Sequence, residues 1–277
     1  MADAASIFRG IAKDAREGLV LKPLLHSYLF DAEWAGDFSI EFKKGSDRRV
    51  PDGWFHPSEH PRWPERRLYY YMTQPEAMIG ENFAYMSTLS VTMGKAMHGF
   101  IESCLQHLGL LLTTDELRDL GFDVNPKDGE PSVSRPDTNS RGHMDGILKV
   151  HLPRWPTAPY HHFEFKTSNN MKLGKIKDLD LDAFIEKWPD YYAQAQEYLR
   201  MTGLQVSVVL FLGMGFPWEI REFHIPANPQ YQADTANKYR SVMAHAEKGI
   251  VPQPCCSPRS AEAKDCPARA VCPVGLA

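Results

Sequence analysis

The sequence predicts one mixed α/β domain, and three observations support this prediction. Apolar residues make up 43% of the 277 residues and charged residues 24%, which is ordinary globular usage and allows a substantial core. Helical and period-2 patterns follow one another in the order helix, strands, helix, strands, helix. The longest apolar stretch, residues 206–216, is too short to span a bilayer, and the N-terminus lacks the apolar run of a secretory signal. We therefore expect a cytoplasmic protein that does not enter a membrane.

The N-terminal half is predicted to contain two helices and two irregular stretches. Residues 7–17 form a short helical pattern. Residues 45–64, GSDRRVPDGWFHPSEHPRWP, are dense in Pro, Gly and charge, which is typical of a loop. Within residues 89–112, apolar residues recur every three or four positions, which predicts a long amphipathic helix. Residues 121–141 are rich in Pro, Asp, Ser and Asn, which predicts turns or a hairpin.

The centre of the chain is predicted to alternate between strands and a helix. Residues 142–150 and 161–168 carry period-2 patterns and are separated by a Pro-broken turn. Residues 180–201 predict a helix that bends or begins at Trp188-Pro189, because proline disrupts a helix interior.

The C-terminal part is predicted to be a hairpin, a helix and a cysteine-rich tail. Residues 206–214 are apolar nearly throughout, as in a strand buried on both faces, and residues 218–225 alternate as its partner. Residues 230–248 form a polar helix. We divide the chain into an N-terminal helical and loop region packing on the core (1–88), a core (89–249) and the tail (250–277).

The overall charge does not decide whether the protein binds nucleic acid. The chain has 31 basic and 35 acidic residues, a formal net charge of −4. A nucleic-acid-binding protein usually shows a basic footprint, but the local field matters more than the sum. Acidic metal ligands also lower the count.

The most informative local pattern lies in the second predicted strand. Residues two apart on a strand share a face, so Glu164 and Lys166 project together while Phe163 and Phe165 point into the core. If the two central strands pair, Asp145 lies beside Glu164. Two carboxylates would then converge next to a lysine.

Hydrolysis of a phosphodiester requires such a set of groups. Mg²⁺ prefers carboxylate, carbonyl and water ligands, polarises phosphoryl oxygens and lowers the pKa of bound water. A lysine can orient that water or stabilise charge on the phosphate. The alternative is a surface salt bridge between Glu164 and Lys166 on an exposed strand face.

Two pairs with helical i, i+4 spacing accompany this pattern. Gln194 and Tyr198 share a helix face and can address a phosphate backbone or the edge of the site. His98 and Glu102 have the same spacing and can reach a metal where their helix crosses the sheet. The alternatives are a boundary histidine at His98 and an ordinary amphipathic edge at Gln194 and Tyr198.

In this order, the residues resemble the PD-(D/E)XK nuclease superfamily in its RecB-like exonuclease branch, which includes CRISPR-associated, AddB-type and phage recombination exonucleases. The motif residues are His98, Asp145, Glu164-x-Lys166 and Gln194-x-x-x-Tyr198. Residues 55–70, FHPSEHPRWPERRLYY, are similar to the N-terminal "PS…CPR…Y" motif of that branch. The resemblance spans about residues 55–272. It implies a restriction-endonuclease-like α/β core, a central mixed sheet flanked by helices, with N-terminal and cysteine-rich C-terminal additions.

The resemblance also implies a role for each central residue. Asp145 and Glu164 would bind a divalent metal with the help of the Phe165 carbonyl, and His98 would be an additional ligand. Lys166 would position or activate the hydrolytic water. The metal would be Mg²⁺ or Mn²⁺, and an imidazole ligand favours Mn²⁺ somewhat because it is softer than a carboxylate.

Other residues would support the site or contact DNA. Gln194 and Tyr198 would do both, whereas Glu102 either lies just behind the ligands or is merely exposed. Charge on phosphate and rings on bases are the usual means of binding a single strand. Basic and aromatic residues suited to this are Arg62, Arg66, Arg67, Tyr69, Tyr70, Tyr71, Lys172, Lys175 and Lys177. The alternative is a solvated loop followed by a half-buried aromatic strand or helix start.

The cysteines depart from the family pattern. Members of the branch with an iron–sulfur cluster usually supply one cysteine in the "CPR" segment and three near the C-terminus. The three C-terminal cysteines of those members follow the pattern C-x2-C-x5-C. Here Cys266 and Cys272 keep the final x5 spacing, but Trp63 stands at the N-terminal cysteine position, and Cys255 and Cys256 replace the C-x2-C partner at longer range. Four thiolates can bind a 4Fe–4S cluster or tetrahedral Zn²⁺, and the alternative is a set of free thiols.

These observations predict a divalent-metal-dependent DNA nuclease, an exonuclease in recombination, repair or phage DNA processing. One alternative is a non-catalytic nucleic-acid-binding protein on the same fold. Another is an iron–sulfur electron-transfer protein, which nothing else in the sequence supports. The oligomeric state is not predicted.

Overall fold

The protein is an α/β structure, known here from a computed structural model that describes residues 4–30, 51–78, 85–126, 129–215 and 218–272. Residues 45–50 of the predicted loop therefore lie outside the described residues. The helices are α1 (Ala4–Arg16), α2 (Leu21–Phe30), α3 (Glu65–Thr73), α4 (Tyr85–His107), α5 (Thr114–Asp119), α6 (Asn170–Leu173), α7 (Leu181–Lys187), α8 (Pro189–Thr202), α9 (Pro229–Lys248) and α10 (Ala261–Lys264). The strands are β1 (Asp123–Val124), β2 (Pro131–Arg135), β3 (Ser140–His143), β4 (Gly146–Leu148), β5 (His161–Asn169), β6 (Val206–Met214) and β7 (Glu219–Pro226).

The strands form two sheets. The larger has the order β4-β5-β6-β7, with β5 and β6 parallel and both outer pairs antiparallel. The smaller is antiparallel with the order β1-β2-β3. Ile101 of α4 shares a core cluster with Phe163 and Phe165, whereas Phe184 of α7 shares another with Phe211. The predicted α/β class, a central mixed sheet flanked by helices, is confirmed.

The prediction of one helix over residues 180–201 resolves into two helices. Trp188 leaves helical geometry at the end of α7, with φ −131° and ψ 59°. Pro189 then occupies the first turn of α8, where its missing N–H removes no helical hydrogen bond. The predicted strand over residues 206–214 is confirmed as β6, and its predicted hairpin partner as β7.

Helix α4 ends earlier than the predicted boundary at residue 112. Gly109 has a φ of 68°, in the left-handed region that favours glycine, and the Leu110 N–H donates to the Leu105 carbonyl at 2.9 Å. Leu111 then forms an isolated antiparallel bridge with Leu148 of β4. The apolar periodicity continues past the end of the helix because Leu111 and Leu112 are buried against the sheet instead.

The prediction of one continuous strand over residues 142–150 is wrong. The chain leaves the small sheet after β3 and enters the large sheet at β4. The Tyr198 hydroxyl donates to the His143 carbonyl, and the Asp145 carboxylate accepts the Phe165 N–H at 2.7 Å. A Cβ at Gly146 would lie 2.8 Å from a methyl group of Leu111, so a larger residue here would require the Leu111 side chain to shift. Tertiary contacts break the strand at the residue that matters most for the site.

Helix α2 packs on the large sheet. Leu21 and Leu25 of α2 are buried in the same cluster as α4 and β5. The buried Glu222 carboxylate of β7 accepts the backbone N–H groups of Val20 at 3.0 Å and Lys22 at 2.7 Å. A carboxylate at a helix N-terminus satisfies amides that have no partner within the helix.

The tail packs on a separate aromatic cluster. Phe55, Tyr70 of α3, Tyr239 of α9 and Cys272 belong to this cluster. The boundaries drawn at residues 88/89 and 249/250 stay predictions. Among the described helices, none combines the length and apolar character that a membrane span requires.

Candidate metal centre and active site

Asp145 lies at an open edge of β5. Strand β4 pairs with β5 from Leu148 opposite His161 to Gly146 opposite Phe163, and Asp145 directly precedes β4. The Phe165 N–H points to this edge and donates to Asp145 Oδ2 at 2.7 Å. The N–H and carbonyl of one strand residue point to the same side, so the Phe165 carbonyl faces this edge too. That is the place expected for it as a metal ligand.

Helix α4 brings two more donors to this edge. The ligand atoms of His98, Glu102 and Asp145 all lie within 4.8 Å of one another. His98 Nδ1 is 3.6 Å from Asp145 Oδ2, and its ring meets Phe165 edge-on at 4.7 Å between centroids. In the described part of the chain, this is the one set of three potential ligands that comes so close. We refer to His98, Glu102 and Asp145 as the ligand group.

Glu164 and Lys166 share one face of β5, as predicted. The Lys166 ammonium donates to Glu164 Oε1, and Gln194 Nε2 of α8 donates to the same oxygen at 2.8 Å. The Glu164 residue is 4% exposed, so the alternative of a salt bridge on an exposed strand face is wrong. In this conformation Glu164 is held by Lys166 and Gln194 and is not part of the ligand group.

Tyr198 supports the backbone before Asp145. Its hydroxyl donates to the His143 carbonyl, and its ring packs on His162 at 4.8 Å between centroids. Tyr198 is 3% exposed, so here it buttresses the site from inside rather than facing a ligand. Gln194 and Tyr198 thus lie on one face of α8 but make different contacts, Gln194 with Glu164 and Tyr198 with the His143 carbonyl.

The electrostatics of the site favour a bound cation. Burial and the neighbouring Asp145 carboxylate raise the pKa of Glu164 to about 7, against the lowering effect of Lys166. Burial also raises the pKa of Asp145, again against Lys166. Two carboxylates held close in a poorly solvated place favour a positive partner. A divalent cation would provide one.

The two basic groups of the site are in opposite protonation states at neutral pH. Burial followed by the Lys166 charge lowers the pKa of His98 to about 4, so its imidazole is neutral, which is the form that binds metals. Burial by itself would lower the pKa of Lys166, but the carboxylates of Glu164 and Asp145 raise it. Lys166 therefore stays charged.

His162 is a neighbour of the site that the sequence analysis missed. Its Nε2 atom lies 3.6 Å from Glu164 Oε2, and its Nδ1 atom is 2.7 Å from the Ser207 hydroxyl. Burial lowers the pKa of His162 to about 3, so the ring is neutral. The period-2 rule that places Glu164 and Lys166 on one face also places His162 there.

The arginines predicted to contact DNA have partners within the protein. Arg67 lies over the Trp63 ring, 3.5 Å from its centroid. Arg62 forms an exposed ion pair with Asp190 at 2.8 Å. Arg66 donates to a backbone carbonyl of the tail at 3.3 Å. The structure leaves the DNA-contact prediction for these residues open.

The four C-terminal cysteines lie around one small cavity. Its lining includes Arg66, Arg67, Tyr70, Cys255, Cys256, Cys266 and Cys272. All four thiols are free in this structure. Burial and the neighbouring Cys256 raise the pKa of Cys255 to about 11, so this thiol is protonated at neutral pH unless a cation binds it.

Comparisons with known proteins do not identify a family. The sequence matches no family model and no curated protein. A solved structure described as "Crystal structure of SSO0001" is similar at a TM-score of 0.39 and 14% identity, over 94% of this chain and 100% of that chain. A likeness this weak carries no argument. What the molecule itself defines is an α/β protein with a candidate divalent-metal site at the edge of its central sheet.

Proposed function

We propose that this protein is a divalent-metal-dependent DNA nuclease with a restriction-endonuclease-like core, acting as an exonuclease in DNA recombination, repair or phage DNA processing. The observation that carries the proposal is the convergence of His98, Glu102 and Asp145 at the open edge of β5. The ion pair between Lys166 and Glu164 lies on the same strand. The expected cytoplasmic location belongs to this proposal.

The residues present fit a divalent cation. Asp145 and Glu102 offer carboxylate oxygens, His98 offers a neutral imidazole, and the Phe165 carbonyl faces the same edge. Mg²⁺ and Mn²⁺ accept such mixed oxygen and nitrogen ligands. A cation bound here would act as a Lewis acid on the phosphate and lower the pKa of a bound water.

The protein's own residues supply the rest of the chemistry. Lys166 keeps its proton on Nζ, so it can stabilise negative charge that develops on the phosphate or orient the attacking water. Lys166 and Gln194 both donate to Glu164 Oε1, so the Glu164 carboxylate holds Lys166 in a defined geometry. Tyr198 holds the backbone at His143 and so sets where the chain turns toward Asp145. These contacts preorganise the site before a substrate arrives.

A cleavage assay with three variants tests the proposal. We expect the full chain to cut DNA in Mg²⁺ or Mn²⁺ and to be inactive in EDTA. Asp145→Asn should lose at least about 100-fold in rate and bind Mn²⁺ more weakly, whereas Lys166→Met should lose a similar factor and keep its Mn²⁺ affinity. Lys149→Met is the matched control, because Lys149 also pairs with a glutamate, Glu116 at 2.6 Å, outside the site.

Two results would overturn the assignment. Near-wild-type cleavage by Asp145→Asn or Lys166→Met at equal folded fraction would show that the site lies elsewhere. Binding of DNA without cleavage in any divalent metal would establish the non-catalytic alternative.

We also propose that the four cysteines hold a 4Fe–4S cluster or a zinc ion. Cys255, Cys256, Cys266 and Cys272 line one cavity beside α3, which supports the proposal. A cation there would hold the tail against α3 and would have no part in the chemistry at Lys166.

A further inference from the structure

Helix α4 leads from the ligand group to a second part of the surface. His98 packs on Phe165, and a Cβ at Gly94 would lie 3.2 Å from Thr167 Oγ1. Four helical residues and two strand residues both cover about 6 Å, so α4 runs alongside β5 in the opposite direction. The turn of α4 before Gly94 therefore lies beside the carboxyl end of β5.

One face of α4 carries both the ligands and the residues beyond them. Val91, Lys95, His98 and Glu102 follow one another at spacings of four, three and four residues, which places them on one face of the helix. Val91 is 39% exposed and Lys95 is exposed. The face that carries His98 and Glu102 thus continues as an apolar and a basic side chain.

The residues that follow β5 lie at the same end of that strand. Met171 is 77% exposed, and Lys172 and Lys175 are exposed on α6 and just after it. In the described part of the chain no ion pair involves Lys172 or Lys175. Their charges are therefore available to an anionic partner.

The tip of the β6–β7 hairpin adds an aromatic ring. Trp218 is 54% exposed and directly precedes Glu219. A carboxylate oxygen of Glu219 lies 3.9 Å from where a Cβ would stand at Gly174, between the two lysines in sequence. Glu219 is itself paired with Arg221 at 3.2 Å, so it does not cancel the lysine charges.

The tyrosines singled out by the sequence cannot fill this role in the described conformation. Tyr69, Tyr70 and Tyr71 are 7%, 4% and 3% exposed. Their rings belong to the cluster that holds α3 against α9. The exposed ring of Trp218 and the exposed lysines occur around the carboxyl end of β5 instead.

We infer that this surface binds single-stranded nucleic acid whose chain runs on to the ligand group, an inference that rests on the proposed nuclease function. Lysines bind phosphates, and an exposed aromatic ring stacks on base faces, which are accessible in a single strand and hidden in a duplex. Exposed apolar side chains can pack against the same faces. We name as the strand surface Val91, Lys95, Met171, Lys172, Lys175 and Trp218.

The first test measures binding without cleavage. Fluorescence anisotropy in EDTA follows a labelled DNA strand of about 20 nucleotides, longer than one binding site, and the duplex of the same sequence. Lys172→Glu/Lys175→Glu should weaken strand binding at least about tenfold and lower the slope of log affinity against log salt by about 1.4, that is about 0.7 for each phosphate contact.

The matched control for the lysine pair has the same change in net charge. Lys13→Glu/Lys248→Glu reverses two exposed lysines on α1 and α9 and should leave strand affinity within about twofold of wild type. A second pair tests stacking. Trp218→Ala should weaken strand binding about tenfold, Trp218→Phe should restore most of it, and Ile250→Ala, also 54% exposed in the wild type, should have no effect.

The outcomes separate this inference from the proposed function. Unchanged binding by Lys172→Glu/Lys175→Glu would overturn the strand surface even if the wild type cuts DNA. Equal affinity for duplex and single strand would overturn the single-strand assignment. Strand binding that this variant abolishes, in a protein that cuts nothing, would support the strand surface and overturn the nuclease.

Discussion

The edge of β5 and the contact between α3 and the tail are organised by different forces. At the edge of β5, Asp145 and Glu164 are held by hydrogen bonds and charges around a place for a cation. At α3, the Trp63 ring lies 4.4 Å from His60 and under the Arg67 guanidinium. The first region is thus a charged site and the second an aromatic cluster.

This difference implies that the two regions divide function and stability between them. Close, poorly solvated carboxylates work against folding unless a cation or hydrogen bonds offset their charge. Buried aromatic rings stabilise the folded state through their area and their edge-to-face contacts. We therefore expect substitutions at the edge of β5 to change chemistry more than stability, and substitutions around Trp63 to do the reverse.

The largest effect should come from His98→Ala. We expect cleavage in Mg²⁺ to fall at least about 100-fold, because Mg²⁺ requires near-ideal octahedral geometry and gives up water reluctantly. Mn²⁺ should restore part of the rate, and the melting temperature should change little. Parallel rate measurements in the two metals give the answer. An identical loss in both metals would mean that His98 only packs on Phe165.

A smaller effect, on stability, should follow from Trp63→Ala. We expect the free energy of unfolding to fall by about 2 kcal/mol, because the ring's contacts with His60 and Arg67 are lost, and cleavage to stay within about threefold. Urea unfolding and the cleavage assay measure both. A loss of activity with unchanged stability would contradict the division drawn above.

Metal analysis of the wild type tests whether a bound metal, in addition to the packing around Trp63, holds the tail. If the cysteines bind a cluster or zinc, anaerobically purified protein should contain near-stoichiometric iron or zinc, and Cys272→Ser should remove it and lower the melting temperature. Folded protein with neither metal would mean that the tail is held without a metal and that the thiols are free.

The smallest effect should be the pH dependence of the metal-free protein. The pKa of Glu164 is raised from 4.5 to about 7 in the folded state, so the folded protein binds a proton at Glu164 more tightly than the unfolded chain does. This contribution to stability is present below about pH 4.5 and is lost as the pH rises through about 7. Urea unfolding at several pH values should show this loss, and Glu164→Gln should reduce it. An unchanged slope in Glu164→Gln would assign the effect to another group.

The elements that the sequence predicted well are those whose periodicity and side-chain types alone specify a strand or a helix. Strand β6 matches its predicted bounds because a run of apolar residues is suited to a strand covered on both faces. The shared face of Glu164 and Lys166 follows from strand geometry alone. The i, i+4 spacing likewise brought His98 and Glu102 together on α4, where the structure places them in one ligand group.

The elements that the sequence predicted poorly depend on distant partners. The break between β3 and β4 follows from contacts of His143 with Tyr198 and of Asp145 with Phe165, which lie 55 and 20 residues apart. The early end of α4 follows from the pairing of Leu111 with Leu148. A local pattern does not contain these contacts, because hydrogen bonds across the fold compete with those of the continuing element.

By itself, therefore, the sequence determined the α/β class, the two-sided character of β5 and the kinds of groups that could bind a metal. These follow from periodicity and from side-chain chemistry, which each segment carries whatever surrounds it. Only the tertiary structure decided that Glu102 joins His98 and Asp145, that Glu164 is turned toward Lys166 and Gln194, and that Tyr69, Tyr70 and Tyr71 are buried. Burial and distance are properties of the assembled chain, because they depend on which other segments pack against each side chain.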